Sequence, residues 1–373
     1  MTSKGTAAGL VDWRTVERLT ALIPAGPSAS RSARASSVAV LRRSALEAPA
    51  WVARITGLNR AAQQVAETTR VSVVDRAGLV RVSTRALRGL MEQVPAPQAS
   101  EAVRLVGAAE MAGAMSLLAT RLLGQVVPAA GTGGDGDGGR GGEASPHLLL
   151  VAPNVLAMRR QLDLDMLDLP AWVCLHEMTH AVQLAAAPWL GPYLSDSMRM
   201  VIGAVVEAVY GGPGGGADGT GEQGLRRRPG RAARIAARAG RGRVLEGLTN
   251  FKERSEVASL AAALTFLEGH AEVVLDDVHP NRMPSVHRLR AVLSRSRAAD
   301  AGIGPGPGLG SLLLHRLMGL EAKEAQYADG TAFVRSVVAR IGHEGLNVVW
   351  TDPALLPTPA EIARPDVWVR RVG

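Results

Sequence analysis

The chain has 373 residues, of which 47% are hydrophobic, 3% are aromatic and 20% are charged. This length and balance are typical of a globular protein with a largely aliphatic core, and they exclude a chain that is disordered throughout. The single cysteine, Cys174, excludes an internal disulfide, a thiolate zinc knuckle and a redox dithiol. Any metal must therefore be bound by histidines and carboxylates.

One segment carries the whole formal net charge of +8: residues 225–243 contain eight arginines and no acidic residue. The rest of the chain is close to neutral, so nucleic acid is an unexpected partner outside this segment. The chain has no run of about 18 uninterrupted apolar residues and no apolar signal region after Met1. We therefore expect no membrane span and a cytoplasmic location, whereas the oligomeric state is left open.

Helical patterns dominate residues 1–130, which we interpret as a helical N-terminal unit. Asp12 precedes apolar residues at helical spacing and is a candidate N-cap, and a longer helix is predicted between Val103 and Leu122. A Gly-rich linker follows at 131–146, because its composition provides little apolar area to bury.

The second predicted unit covers residues 147–373 and contains a Gly/Arg-rich insertion at 211–243. The apolar run Leu148–Ala152 predicts a strand, which ends at Pro153-Asn154. Two long helices are predicted from about Pro170 to Ala187 and from about Glu253 to Val278, each ended by a proline. The predicted fold class is therefore mainly α with a small β element, an α+β protein.

The first of these two helices contains an HExxH motif, His176-Glu177-Met178-Thr179-His180. At about 100° per residue, His176 and His180 differ by about 40°, so both imidazoles can bind one Zn²⁺. Glu177 stands beside them and can act as general base toward a zinc-activated water. The uncharged flanks favour a buried metal helix over an exposed helix that merely carries two histidines.

A catalytic zinc needs a third protein ligand. The metzincin pattern would place a glycine at 183 and a histidine at 186, but the chain has Gln183 and Ala186. The second helix instead offers Glu268 and Glu272, which share a face at i and i+4.

Glu268 is assigned as the third ligand and Glu272 as the acceptor that orients a ligand imidazole, because buried carboxylates need a cation or donors. The reverse assignment of the two glutamates stays open. His270 points about 200° away from them and is expected to be a core or surface histidine.

These residues resemble the zincin superfamily in its gluzincin branch, where a glutamate from a later helix completes an HExxH site. More closely, the chain resembles a family of zincin-like hydrolases without an assigned reaction. The resemblance is carried by Val73–Arg76, Val151–Asn154, Trp172–His180, Pro188–Leu190, Leu267–Glu272, Trp350, Pro357 and Trp368. It implies that residues 147–373 form a zincin-like catalytic domain, and it associates the family with biosynthesis of the deazaflavin coenzyme of redox enzymes.

The resemblance also implies that Leu148–Ala152 is the edge strand that pairs with an extended substrate beside the metal helix; an ordinary buried strand is the alternative. A donor besides zinc is needed for the charge of a tetrahedral intermediate. Tyr327 and Lys323, four residues before it on a predicted helix, are the candidates, although each residue type is more often found in a surface or packing role.

The predicted function is a zinc-dependent hydrolase, in the first place a metallopeptidase that cleaves a peptide or amide bond. The alternative is a non-catalytic accessory or binding protein in which zinc only ties two helices together.

Overall fold

A computed structural model describes residues 5–128, 146–210, 251–299 and 325–373, with the backbone alone at 208–210, 251–254, 294–299 and 325–329. The predicted linker, apart from residue 146, and the predicted Gly/Arg-rich insertion lie outside the described residues. The described chain is mainly helical with a few short strands, which confirms the predicted fold class.

The helices before the predicted linker are Trp13–Thr20 (α1), Arg31–Thr56 (α2), Asn59–Thr68 (α3), Arg76–Glu92 (α4) and Glu101–Arg121 (α5). Those after it are Ala152–Gln161 (α6), Asp168–Ala186 (α7), Leu190–Tyr210 (α8), Phe251–Asp276 (α9), Val286–Ala299 (α10), Ala325–Leu346 (α11), Pro359–Ile362 (α12) and Pro365–Val372 (α13). Short 3-10 helices cover Ala7–Leu10, Asn347–Trp350 and Pro353–Leu355. The strands are Gly5–Thr6 (β1), Arg70–Val74 (β2), Pro95–Ala96 (β3), Gly124–Val127 (β4) and His147–Val151 (β5).

Local signals in the sequence set several of these boundaries. Asp12 caps α1 by accepting a hydrogen bond from the backbone N–H of Arg14 at 3.1 Å, as predicted. The two long helices predicted around the metal motif and the glutamates correspond to α7 and α9, with ends shifted by one or two residues. Gly57, at a φ of 76°, ends α2 in the left-handed conformation that glycine adopts without strain.

The larger sheet has the strand order β2-β5-β4, with β2 parallel and β4 antiparallel to β5. β2 and β4 come from the predicted N-terminal unit and β5 from the predicted catalytic domain, so both segments contribute to one sheet. The domain boundary itself stays a prediction. β1 and β3 form a separate antiparallel pair.

β5 is buried on both faces of the sheet, which explains its continuous apolar run. Leu148 and Leu150 belong to a core with α2, α3 and α7, whereas Leu149 and Val151 belong to a core with α1, α4 and α5. The sheet therefore separates α7 from α4 and α5 and gives α7 a rigid support.

A third core joins α9 and α11 to the C-terminal segment through Phe266, Phe333, Trp350 and Trp368. α9 and α11 cross at Gly269 and Gly330, where a Cβ added at 269 would overlap with the carbonyl carbon of Gly330. A larger side chain at 269 would push the two helices apart. Glycine at this position therefore determines where α9 presents the neighbouring Glu268.

Two helical stretches are long and apolar enough to span a membrane by length and composition, namely Glu101–Arg121 in α5 and Ser255–Asp276 in α9. The most apolar 18 residues of the stretch in α9 are 67% buried, and those of the stretch in α5 are 28% buried. Core helices of globular proteins meet the same criteria, so the absence of a membrane span stays a prediction.

Candidate metal centre

The HExxH motif lies in the middle of α7, where almost every residue from Leu169 to Gln183 is buried. α7 packs against α2 and α3 on one side and against α9 and β4 on others. A helix enclosed in this way is apolar around most of its circumference, and its few polar residues must find partners inside the protein. His176 and Glu177 are each 3% exposed.

The ligand atoms of His176, His180 and Glu268 converge on one point between α7 and α9. The two histidine Nε2 atoms are 3.3 Å apart, and the Glu268 carboxylate lies 3.4 Å from His176 Nε2 and 3.7 Å from His180 Nε2. Within the described residues, these three form a group whose donor atoms all lie within 4.8 Å of one another.

This donor set fits a divalent zinc ion. Donors bound to a tetrahedral zinc at about 2.0–2.2 Å lie roughly 3.3–3.6 Å from one another, and two imidazoles with one carboxylate are a catalytic ligand set. His180 remains 16% exposed at its side chain, so the site is accessible from one side. The residues therefore fit a zinc site with three protein ligands and a further position for a reacting group.

Glu272 lies behind His176, with its Oε1 atom 3.8 Å from His176 Nδ1. Glu268, one turn earlier on α9, instead faces the Nε2 atoms. This placement favours Glu268 as the ligand and Glu272 as the group that orients His176, although the assignment stays a prediction.

Glu177 is pressed against the edge of the sheet. A Cβ added at Gly124 in β4 would lie 2.6 Å from Glu177 Cγ, so only glycine leaves room for the carboxylate. Burial raises the pKa of Glu177 to about 8. The negative charge of Glu268 adds to this rise, whereas the positive charge of His176 opposes it. A carboxyl group with a pKa near neutrality can both accept and return a proton.

The two histidines of the HExxH motif have pKa values that are shifted in opposite directions. Burial opposes protonation of His176, but its hydrogen bond to Glu268 and the surrounding carboxylates outweigh burial and raise its pKa to about 9. Burial lowers the pKa of His180 despite the charge of Glu268. Glu268 therefore stabilises a proton on His176, and a metal cation that bound both residues would have to displace that proton.

A comparison with protein families agrees with this geometry. The family model of zincin-like metallopeptidases matches residues 11–369, nearly the whole chain. The chain belongs to this family. The predicted zincin resemblance is thus confirmed, whereas the association with deazaflavin coenzyme biosynthesis stays a prediction.

A solved structure from Chloroflexus aurantiacus, described as "a putative hydrolase with a novel fold", is similar to this zincin-like chain. The two share 20% sequence identity with a TM-score of 0.58, and the match covers 97% of this chain and 98% of the other. At this identity the likeness concerns the fold. A search of curated proteins finds no match to the chain.

The role that the resemblance gave to Leu148–Ala152 is wrong, because β5 is the central strand of the sheet and not an edge. It is the buried strand that the alternative described, since helices cover both of its faces. Within the described residues of this zincin-like protein, β4 is the strand at the edge of the sheet that contacts α7. Its residues fell in the predicted helical unit because four residues are too short to show a strand pattern.

Gln183 and His270 form a polar contact beside the site that the sequence analysis did not assign. Gln183 Oε1 lies 2.9 Å from His180 Nδ1, and Gln183 Nε2 lies 3.0 Å from His270 Nδ1. The spacing of three residues from His180 places Gln183 on the same helix face and could have indicated this contact. His270 is a fully buried core histidine, and burial, followed by His343 and His180, lowers its pKa to about 3.

The candidate oxyanion donor and the single cysteine lie in different parts of the fold. Tyr327 lies in the first turns of α11, and its side chain is outside the described residues, so its role stays a prediction. Cys174 is fully buried, with its Sγ atom 3.5 Å from the Leu41 carbonyl oxygen, and is therefore a core residue. Tyr193 packs edge-on against Trp189 at 6.1 Å between ring centroids.

Proposed function

We propose that this zincin-like chain is a zinc-dependent metallopeptidase that cleaves a peptide or related amide bond. The observation that carries the proposal is the convergence of His176, His180 and Glu268 within 4.8 Å, beside the buried carboxyl group of Glu177. Burying this many polar groups costs free energy that a bound cation offsets.

Zinc, when bound to these residues, would supply Lewis-acid chemistry and make a water molecule acidic near neutral pH. Glu177 is assigned the role of general base that accepts the proton of the attacking water, because its buried carboxyl group follows His176 directly in the HExxH motif, beside the converging ligand atoms. The same carboxylic acid then returns the proton to the leaving amine. Glu272, whose Oε1 atom lies 3.8 Å from His176 Nδ1, is assigned the role of orienting that imidazole.

An extended peptide is the proposed substrate, and β4 is the strand to which it would pair. β4 lies at one edge of the sheet formed by the described residues, and its first residue, Gly124, contacts Glu177. Backbone pairing with β4 would bring a peptide carbonyl next to the general base. Because backbone hydrogen bonds are independent of side chains, specificity would depend on groups beyond this strand.

Tyr327 is retained in this proposal as the donor to the developing oxyanion. The cytoplasm is the proposed location, and nucleic acid and membrane are not proposed as partners.

Elemental analysis of the purified protein tests the metal site. We expect about one zinc per chain in the parent protein and none in a His176→Ala, His180→Ala double variant. A His279→Ala, His287→Ala double variant is the matched control, because both residues are exposed and lie outside the donor cluster. Absence of zinc from the parent after reconstitution would overturn the proposal.

A peptide library screen with the zinc-loaded protein tests the reaction. Cleavage that disappears in the metal-site variant and persists in the control variant supports a metallopeptidase. Stoichiometric zinc without hydrolysis of any peptide or amide would instead favour a zinc-stabilised accessory protein.

A further inference from the structure

Gln183 occupies a position where all of its hydrogen-bonding groups meet partners. The side chain is buried, with 1% exposure, and lies between α7 and α9. Its Oε1 atom faces His180 Nδ1 at 2.9 Å, while its Nε2 atom faces the Leu267 carbonyl oxygen at 2.9 Å and His270 Nδ1 at 3.0 Å. One amide thus contacts a metal-binding histidine, the backbone next to Glu268, and a second histidine.

The Leu267 carbonyl determines the orientation of this amide. A carbonyl oxygen only accepts hydrogen bonds, so the group of Gln183 that faces it must be the NH₂ group. The amide oxygen must then face His180. A flipped amide would place two oxygen atoms 2.9 Å apart in a buried environment, which is unfavourable.

The orientation of Gln183 in turn determines the tautomer of His180. Since an amide oxygen can only accept, His180 must carry a proton on Nδ1, and in the neutral imidazole the lone pair is then on Nε2. His180 Nε2 is the atom that lies 3.3 Å from His176 Nε2 and 3.7 Å from Glu268. The lone pair is therefore aimed at the point where the donors converge.

His270 stands behind Gln183 and completes the arrangement. Its Nδ1 atom accepts from the second N–H of Gln183, and its ring is enclosed by aromatic side chains. Phe266 stacks on it with 6.4 Å between ring centroids, and Trp350 meets it edge-on at 5.3 Å. These contacts hold the acceptor atom in place against rotation of the imidazole.

We infer that Gln183, supported by His270, is a positioning residue that fixes His180 in its metal-binding tautomer and couples α7 to the ligand turn of α9. This inference rests on the proposed function, because the tautomer matters only if His180 binds zinc through Nε2. Groups that orient metal ligands typically contribute about 10- to 100-fold to metal affinity. The His176 side has its counterpart in Glu272.

Zinc affinity of variants at Gln183 and His270, measured by competition with a chelator, tests the inference. Gln183→Leu removes both the acceptor and the donors, and we expect its zinc dissociation constant to rise about 10- to 100-fold. His270→Leu removes the acceptor behind Gln183 and should weaken binding less. His270→Asn keeps an acceptor at the same place and should restore affinity toward that of the parent protein.

The matched control is Asn154→Leu, which removes another buried amide that donates to two backbone carbonyls outside the metal cluster. We expect this variant to lose stability but to keep zinc affinity within about twofold. A Gln183→Leu variant that binds zinc as tightly as the control would overturn the inference.

The tautomer is read directly from ¹⁵N NMR of the histidine rings in metal-free protein, with the His180 signals identified by comparison with His180→Ala. The parent should show His180 protonated at Nδ1, and Gln183→Leu should show mixed tautomers. An unchanged tautomer in Gln183→Leu contradicts the inference. This readout needs neither zinc nor substrate, so it decides the inference even where the proposed function fails.

Gln183→Glu is a second variant at position 183. Its carboxylate still accepts a hydrogen bond from His180, but it cannot donate one to the Leu267 carbonyl oxygen. We expect it to retain the Nδ1-protonated tautomer. Loss of the tautomer in this variant would contradict the assigned role of the side-chain oxygen.

Discussion

Two buried glutamates show how differently this protein treats the same side chain. Glu361, at the start of the C-terminal helices, is 5% exposed, and Glu177 in α7 is 3% exposed. Arg371 donates to both carboxylate oxygens of Glu361 at 2.7 and 3.0 Å, and the backbone N–H and hydroxyl of Thr358 donate to it at 2.9 Å. Although burial opposes its charge, these donors hold the pKa of Glu361 below its ordinary value.

Glu177 has the opposite balance, because burial raises its pKa to about 8 and the nearby Glu268 adds to the rise. A carboxylate whose donors come from the protein is stabilised as a structural anion. A carboxyl group with a raised pKa in a site of convergent ligand atoms is available for proton transfer instead. We therefore expect a structural role for Glu361 and a chemical role for Glu177. The following substitutions test this contrast.

The largest effect is expected from Glu177→Gln. Removing a general base lowers the rate of hydrolysis by roughly 10²- to 10⁴-fold, while the three ligand residues remain to bind zinc. Turnover of a cleaved peptide and zinc content, measured on the same preparation, check this. Loss of zinc, or retained turnover, would show that Glu177 has another role.

The next effect distinguishes the two glutamates of α9. Glu268→Gln removes a negatively charged ligand and should abolish stoichiometric zinc binding, whereas Glu272→Gln should weaken it by about 10- to 100-fold. Titration against a chelator of known affinity measures both. If Glu272→Gln has the larger effect, the reverse ligand assignment is correct.

Gly124→Ala should displace Glu177 without changing any functional group. The added Cβ would lie 2.6 Å from Glu177 Cγ, and a shift of about 1 Å in a catalytic group can cost roughly 100-fold in rate. Zinc content should stay unchanged while turnover falls. Gly113→Ala in α5 is the control, since its Cβ would meet nothing within 4 Å; equal activities of the two variants would contradict the packing argument.

Zinc affinity should increase with pH. Because the pKa of His176 is raised to about 9, zinc must displace its proton at neutral pH, and the apparent affinity rises about tenfold per pH unit up to about pH 9. Calorimetry in buffers of different ionisation enthalpy should show release of about one proton. A pH-independent affinity between pH 7 and 9 would argue against this proton exchange.

The same raised values predict how the metal-free protein responds to pH. His176 and Glu177 both bind protons more tightly when folded than when unfolded. Their contribution to stability is therefore present at low pH and is lost progressively as the pH rises from their ordinary pKa values of 6.5 and 4.5 to their folded values of about 9 and 8, with both groups contributing between about pH 6.5 and 8. The free energy of unfolding, measured with denaturant, should therefore fall over this range, and added zinc should reverse the trend.

The smallest effect on activity is expected from Glu361→Gln. It leaves the guanidinium of Arg371 with weaker partners and should cost about 1–3 kcal/mol of folding stability while zinc content and turnover stay unchanged. Denaturant unfolding beside an activity assay measures both quantities. A loss of turnover in the folded variant would remove the contrast between the two glutamates.

The sequence alone determined the features that depend on local periodicity. The spacing of His176 and His180 on one helix, the shared face of Glu268 and Glu272, and the extents of α7 and α9 all follow from about 3.6 residues per turn. The apolar composition of both helices predicted that they would be buried, and the mainly helical fold class was confirmed.

Only the tertiary structure decided which elements meet around these helices. Strand order depends on pairing between distant segments, so β5 could be recognised as a strand but not as the central one. The four residues of β4 contain no pattern that reveals their contact with Glu177. Likewise, the bonds of Gln183 to Leu267 and His270 span more than 80 residues, and they exist because close helix packing leaves its amide no water to bond.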